Sequence, residues 1–140
     1  AWRLAAERGL ELTALRPGPI YGPRDHKLTD RYRTWMRSRV RLAPTVAIPH
    51  VHGRDVASAV GGALMNPRSA GRAYNVTAEP VSIHKVLSIW KRLQGHGPAL
   101  IAVPLPFTLR FDDGAARREL GFRPRGIEEG IRDVLTAATG

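Results

Sequence analysis

Three groups of residues have the types and spacing to do chemistry: a histidine pair, two carboxylate pairs and a stiff Pro/Gly loop. His50 and His52 are two residues apart, so on a strand both point to one side, as in a two-histidine metal clamp. No third ligand follows at useful spacing, because His26, His84 and His96 lie far off in sequence. A packed or hydrogen-bonded His52 is therefore expected rather than a metal ligand. Asp112-Asp113 and Glu128-Glu129 stand at the starts of predicted helices, where a negative charge complements the helix dipole. Capping is expected of them before acid–base catalysis. The third group is Leu15-Arg16-Pro17-Gly18-Pro19-Ile20-Tyr21-Gly22-Pro23-Arg24. Its prolines fix φ and its glycines permit tight turns, so a stiff loop should follow the apolar run before it. Ligands of open α/β sheets bind at the C-terminal ends of strands, which makes this loop a candidate site wall. It lacks the Gly-Lys-Ser/Thr of a phosphate loop, and the chain contains no Gly-x-Ser-x-Gly elbow.

The elements that must position these residues alternate along the chain. Residues 1–8 read as a helix end with Gly9 just past it. A buried parallel strand is expected over 10–16. A helix over 28–38 takes Asp30 or Thr29 as N-cap, and 46–53 reads as a short interrupted strand. Asp55 should cap a helix over 56–65 that Asn66-Pro67 stops. A strand over 73–76 precedes an amphipathic helix capped by Ser82 and closed by Gly95. A strand over 100–103 ends at Pro104 and Pro106. A short helix beginning at Asp112 or Asp113 reaches Leu120, and a last helix covers 128–138. Alternating strands and helices predict an α/β fold.

The 140 residues suit one ordinary domain, and 43% apolar residues can build a core. There is no cysteine, which excludes disulfides, thiolate nucleophiles and cysteine-ligated metals. No apolar run is long enough to cross a membrane, and no secretory signal opens the chain. A cytoplasmic protein with no membrane partner is the expectation. The net charge of +10 raises anionic partners, but it comes from 19 Arg against 3 Lys scattered along the chain. The densest cluster, Arg31, Arg33, Arg37, Arg39 and Arg41, is expected to be mainly a solvated helix face, with Trp35 and Met36 pointing inward.

Four blocks then resemble, in order, the C-terminal half of an extended short-chain dehydrogenase/reductase, the NAD-dependent epimerase/dehydratase family. They are Glu7-Arg8-Gly9-Leu10 through Arg24-Asp25, His50-Val51-His52-Gly53-Arg54-Asp55-Val56-Ala57, Gly71-Arg72-Ala73-Tyr74-Asn75-Val76, and Ala116-Arg117-Arg118-Glu119-Leu120-Gly121-Phe122-Arg123-Pro124 with Ile127-Glu128-Glu129-Gly130-Ile131. The resemblance implies the C-terminal part of a Rossmann-type NAD(P)-binding fold plus a small substrate-binding domain. Residues 1–24 and 71–78 would be the last Rossmann strands and their flanks, and 25–70 with 79–140 mostly the substrate domain. The family's glycine-rich dinucleotide loop and Tyr-x-x-x-Lys set would precede residue 1. Tyr21, Tyr32 and Tyr74 are followed four positions on by Asp25, Met36 and Ala78, so no catalytic residue is assigned within this chain.

The same resemblance places Pro17, Gly18, Pro19 and Ile20 against the nicotinamide of NAD or NADP, and Tyr21, Arg24, His52 and Arg54 around the substrate. It implies hydride transfer at a hydroxyl or keto carbon of a sugar nucleotide or small carbonyl, by a parent enzyme expected to be a homodimer. Val46-Ala47-Ile48-Pro49 lacks the arginine with which sugar-nucleotide members grip diphosphate, and Gly53 replaces a β-branched residue. The isolated chain is expected to be inactive, to bind NAD(P) weakly, and to aggregate or pair through its bare sheet edge. A non-catalytic NAD(P)-sensing or regulatory protein is the rival expectation. A basic nucleic-acid or anion-binding domain is a further one, although nucleic acid is not the expected partner.

Overall fold

The computed structural model describes residues 2–138. Its elements are α1 (Trp2–Glu7), β1 (Ala14–Pro17), β2 (Ile20–Tyr21), α2 (Leu28–Met36), β3 (Val40–Pro44), β4 (Ala47–Ile48), β5 (Val51–His52), α3 (Gly53–Met65), β6 (Ala73–Val76), β7 (Val81–Ser82), α4 (Ile83–Gln94), β8 (Ala99–Val103), α5 (Gly114–Glu119) and α6 (Ile127–Thr136). β1 pairs with β6, β2 with β5 and β3 with β8, all in parallel, while β4 and β7 pair antiparallel. Every parallel pair is separated by a helix-containing crossover, as parallel pairing demands. The expected α/β alternation is present.

Several boundaries differ from the sequence expectation, each for a local reason. β1 starts at Ala14 rather than residue 10. Leu10 is 62% exposed, and pairing begins only where the Gly71 and Ala14 N–H groups reach the Leu12 and Arg72 carbonyls, at 2.8 and 2.9 Å. α2 ends at Met36, and neither Asp30 nor Thr29 caps it. The carboxylate of Asp25 accepts from the Lys27 and Thr29 N–H groups instead. Partial burial pushes the Asp25 carboxyl up, but these N–H donors outweigh it and hold the group below the ordinary carboxylate range.

α3 begins at Gly53, so Asp55 sits in its first turn. The cap is His52, whose Nδ1 accepts from the Arg54 N–H at 3.2 Å. Asp112 rather than Asp113 receives the Gly114 N–H of α5, at 2.8 Å, while Asp113 pairs with Arg117. α6 covers 127–136, inside and ahead of the predicted 128–138. Other signals appear as read. Gly9 turns the chain after α1 with φ +61°, Ser82 caps α4 through the Lys85 N–H, and Gly95 closes α4 with φ +81°. Ala1 lies outside the described residues.

Two buried clusters form the interior. One joins Tyr32 and Met36 of α2, Leu87 and Trp90 of α4, and Ile131 and Val134 of α6. The other joins Tyr74 and Val76 of β6 to Ala59 of α3 and Ala116, Leu120 and Phe122 around α5. The β2–β5 ladder is the seam between them. Tyr21 belongs to the first cluster, and Val51, opposite its neighbour Ile20, belongs to the second. Gly130 makes the seam possible. A Cβ there would overlap the Tyr21 hydroxyl and ring, so only glycine lets α6 lie across that side chain. Gly130→Ala is expected to destabilise the protein by about 1–3 kcal/mol, as overpacking of a rigid core does. A thermal melt checks this, and an unchanged Tm would mean that Tyr21 can swing away freely.

Candidate functional site

A cleft of about 990 Å³ opens along the β2–β5 seam. Six of the eight residues expected at a site line it: Pro19, Ile20, Tyr21, Arg24, His52 and Arg54. They come from two stretches some 30 positions apart, brought together because β2 and β5 pair as Ile20 with Val51 and Tyr21 with His52. Ile20 is 40% exposed and offers an apolar surface to the cleft, whereas Tyr21 is buried. Arg24 is exposed, and no ion pair holds it among the described residues.

The two remaining residues, Pro17 and Gly18, stand behind the lining. Pro17 closes β1 opposite Val76, and the Gly18 N–H donates to the Val76 carbonyl at 3.2 Å. Gly18 has an ordinary backbone conformation but no room for a side chain, because a Cβ would run into the Pro49 carbonyl. The loop and the segment before β5 therefore touch backbone to backbone. Gly18→Ala is expected to cost about 1–3 kcal/mol, since backbone on both sides cannot yield. Gly22→Ala is the control. Its added carbon meets nothing nearer than His52 Nε2 at 3.6 Å, so it should shift the urea midpoint far less. Equal effects would show that the clash is not what makes Gly18 special.

Both histidines are buried, and neither exposes a nitrogen to the cleft. His50 is buried; its Nε2 lies 2.6 Å from the Tyr32 hydroxyl and its Nδ1 3.1 Å from the Ile48 carbonyl. Burial pushes its pKa down to about 4, against a smaller upward pull from the Ile48 carbonyl. His52 spends Nδ1 on the α3 cap, which leaves the proton of the neutral ring on Nε2. That nitrogen lies 3.2 Å from Asp133 Oδ2, outside hydrogen-bond alignment. Burial first, and the Arg125 guanidinium second, hold the His52 pKa below its ordinary value. The tyrosine between them is no base either. Burial and the Asp55 carboxylate push the Tyr21 phenol far above its ordinary range, so it stays protonated. Its ring meets both imidazoles edge-on, at 6.3 and 5.2 Å. The site as built offers shape, an apolar wall and cations rather than a proton shuttle.

Sequence reasoning missed the residues that hold this arrangement together. The Thr29 hydroxyl exchanges hydrogen bonds of 3.1 Å with both the N–H and the carbonyl of Gly22, tying α2 to the loop. Asp25 pre-orders the same turn. The Asp25-x-Lys27-x-Thr29 spacing is a turn-and-cap pattern and could have revealed both. α2 also brings Lys27, Leu28 and Arg31 to the cleft. Asp133 holds Arg54 at 3.2 Å from the far end of the chain, and no local pattern announces that contact.

No family model matches the chain. It is 34% identical over 104 residues to sterol demethylase protein B of Methylococcus capsulatus, an alignment covering 72% of this chain and 31% of that protein. Among solved structures it is similar to RMD from Pseudomonas aeruginosa complexed with NADPH, with a TM-score of 0.78 and 17% identity over 97% of this chain and 50% of that one. It is likewise similar to the UDP-glucose 4-epimerase of Thermotoga maritima with UDP-glucose, with a TM-score of 0.78 and 20% identity over 98% and 48%. The chain thus spans about a third of the curated relative and about half of these solved chains. Across that half its fold is that of the C-terminal part of the solved NAD(P)-dependent epimerases and dehydratases.

Proposed function

We propose that this chain is the substrate-side half of an NAD(P)-dependent oxidoreductase, epimerase or dehydratase that moves a hydride between nicotinamide and a hydroxyl- or keto-bearing carbon. The observation that carries the reading is the convergence of Pro19, Ile20, Tyr21, Arg24, His52 and Arg54 on one cleft at the end of a parallel strand. NADPH and UDP-glucose in the solved neighbours support the reaction class. Residues 1–24 and 71–78 form the dinucleotide side, and α2, α4 and α6 carry the substrate side. α3 and α5, expected from sequence with the substrate domain, pack on the dinucleotide side, and the two buried clusters support that division except at Tyr21, which joins the substrate-side cluster.

The residues present fit a nicotinamide. Pro17 and Gly18 fix the loop by backbone contacts, so Pro19 and the exposed Ile20 can meet a flat ring with little ordering cost. When bound, the cofactor supplies or accepts the hydride. This chain's residues wall the ring and shape the space beside it. Tyr21 and His52 form a buried floor, and Arg24 and Arg54 edge the substrate. No cation stands in Val46–Pro49, so a diphosphate would have to be held by Arg24, Lys27, Arg31 or Arg54 around the cleft; of the two substrate classes we favour the non-nucleotide alcohol or ketone. The sterol in the name of the 34%-identical relative points the same way.

The test is titration of the full polypeptide carrying this chain with NADH and NADPH, followed by nicotinamide fluorescence. Ile20→Asp is expected to weaken binding about tenfold or more, since it sets a charge against the apolar wall. Ile20 is already exposed, so the melt should hardly move. Unchanged binding in Ile20→Asp would remove the assignment. Removing residues upstream of this chain is expected to abolish tight binding; retained tight binding would overturn the division of labour.

A further inference from the structure

The net charge of +10 is not spread over the molecule. Residues 31–54 and 80–111 hold ten of the 22 basic residues and none of the 12 acidic ones, so the rest of the chain is neutral. These two acid-free segments are also structural partners. They pair as β3 with β8 and as β4 with β7, and α2 packs on α4.

On this cationic lobe one face of the β3–β8 ribbon is apolar and bare. Val40 and Leu42 share that face two residues apart, and Ile101 stands beside Leu42 in register. They are 55%, 62% and 50% exposed. The chain leaving β8 extends the apolar surface. Leu105 and Phe107, 49% and 60% exposed, are held there by the Leu105 N–H on Thr45 Oγ1 and the Ala47 N–H on the Phe107 carbonyl. Arg37 and Arg39 precede the ribbon, exposed and with no ion pair among the described residues. Arg41, on the opposite face, is spent on Trp35, with its guanidinium carbon 4.2 Å from the ring centroid.

We propose that this ribbon face docks the protein on an anionic lipid surface. The apolar centre enters the acyl boundary and the arginine rim meets acidic headgroups. Charge complementarity selects the occupant. Arg33, Arg54, Arg92 and Arg110 are paired with Asp30, Asp133, Glu128 and Glu79 from outside these segments, but Arg37 and Arg39 keep their charge for an anionic surface, whereas a second identical copy would bring the same positive field face to face. A polyanion such as RNA would satisfy the arginines but leave the aliphatic side chains unused. The proposal departs from the expectation drawn from sequence, that the protein has no membrane partner; that expectation rested on the lack of a spanning segment, and a surface contact needs none. This inference does not depend on the cofactor reading, because the ribbon residues are not among those lining the cleft.

The test is co-sedimentation of the full polypeptide with vesicles of phosphatidylcholine alone and with about one third phosphatidylglycerol, at low and at raised salt. Partition is expected to rise about tenfold or more with the acidic lipid and to fall with salt. It should also fall about tenfold both in Leu42→Ser with Ile101→Ser and in Arg37→Glu with Arg39→Glu. All four positions are exposed, so the variants should fold, and a melt verifies this. Four results would overturn the inference: no dependence on acidic lipid; wild-type partition in folded Leu42→Ser/Ile101→Ser; loss of an oligomer in that variant with lipid binding unchanged; or poly-U binding that displaces the vesicles and ignores the aliphatic substitutions.

Discussion

Asp55→Ala is expected to destabilise the protein by about 3–5 kcal/mol, the cost of stripping one partner from a buried ion pair. Asp55 is 5% exposed. Its Oδ2 accepts from the Arg125 backbone N–H at 3.0 Å, and its Oδ1 from Nε and Nη2 of the same residue at 2.9 Å each. The two residues are 70 positions apart, so the pair clips the first turn of α3 to the segment that enters α6. Without Asp55 the Arg125 guanidinium, only 21% exposed, keeps a single distant carboxylate, Asp133 at 3.9 Å. That residual partner places the loss toward the lower end of the range. Urea denaturation measures it. Asp55→Ala combined with Arg125→Met should recover part of the loss, because the orphaned charge is then gone. A loss under about 1 kcal/mol in the single variant would show that the clip adds little.

Acidification is the second large effect. His50 is buried and neutral in the fold, with a pKa of about 4, but titrates near 6.5 once unfolded. The unfolded chain therefore binds more protons between those values, and stability rises with pH across that window. The contribution is fully present above about pH 6.5 and is lost progressively toward pH 4, to about 3 kcal/mol in all. His52, also depressed, adds to the same slope. The Asp25 and Glu128 carboxyls, held below the usual range, lose their contribution at lower pH still. Tm followed from pH 4 to 7.5 should climb and then level. His50→Gln should flatten much of the climb while lowering the plateau, since it disturbs the Tyr32 contact. A profile that is flat from pH 4 to 7.5 would contradict the buried neutral imidazole.

Much of this arrangement was legible because its signals are local. Gly9, Ser82 and Gly95 mark helix ends through backbone rules that hold in any context, and they stand where read. The loop from Pro17 to Pro23 was recognisable from restricted φ alone. What was misread depended on distant partners. Asp55 has the look of an N-cap, but Arg125 claims its carboxylate and His52 takes the cap instead. Leu10 reads as a strand start, yet no second strand reaches it, and it remains exposed. Asp133 stands ordinary in an amphipathic helix, and only the folding of α6 over Tyr21, allowed by Gly130, brings it to His52 and Arg54. His50 and His52 were read as a pair on one strand, but β5 holds only Val51 and His52, and His50 lies just before it. Three of their four nitrogens proved committed to Tyr32, the Ile48 carbonyl and the α3 cap, and the fourth, His52 Nε2, is buried beside Asp133 without a hydrogen bond, which only three-dimensional packing decides.

The central claim is that the loop from Pro17 to Ile20 walls the nicotinamide. Methyl NMR of the full polypeptide, labelled at isoleucine and titrated with NADH and NADPH, tests it most directly. The account predicts that the Ile20 δ1 methyl shifts on cofactor addition and shows a nuclear Overhauser contact to the nicotinamide ring protons, while Ile101, outside the cleft, stays in place. A bound cofactor that leaves the Ile20 methyl unmoved and without such a contact would contradict it.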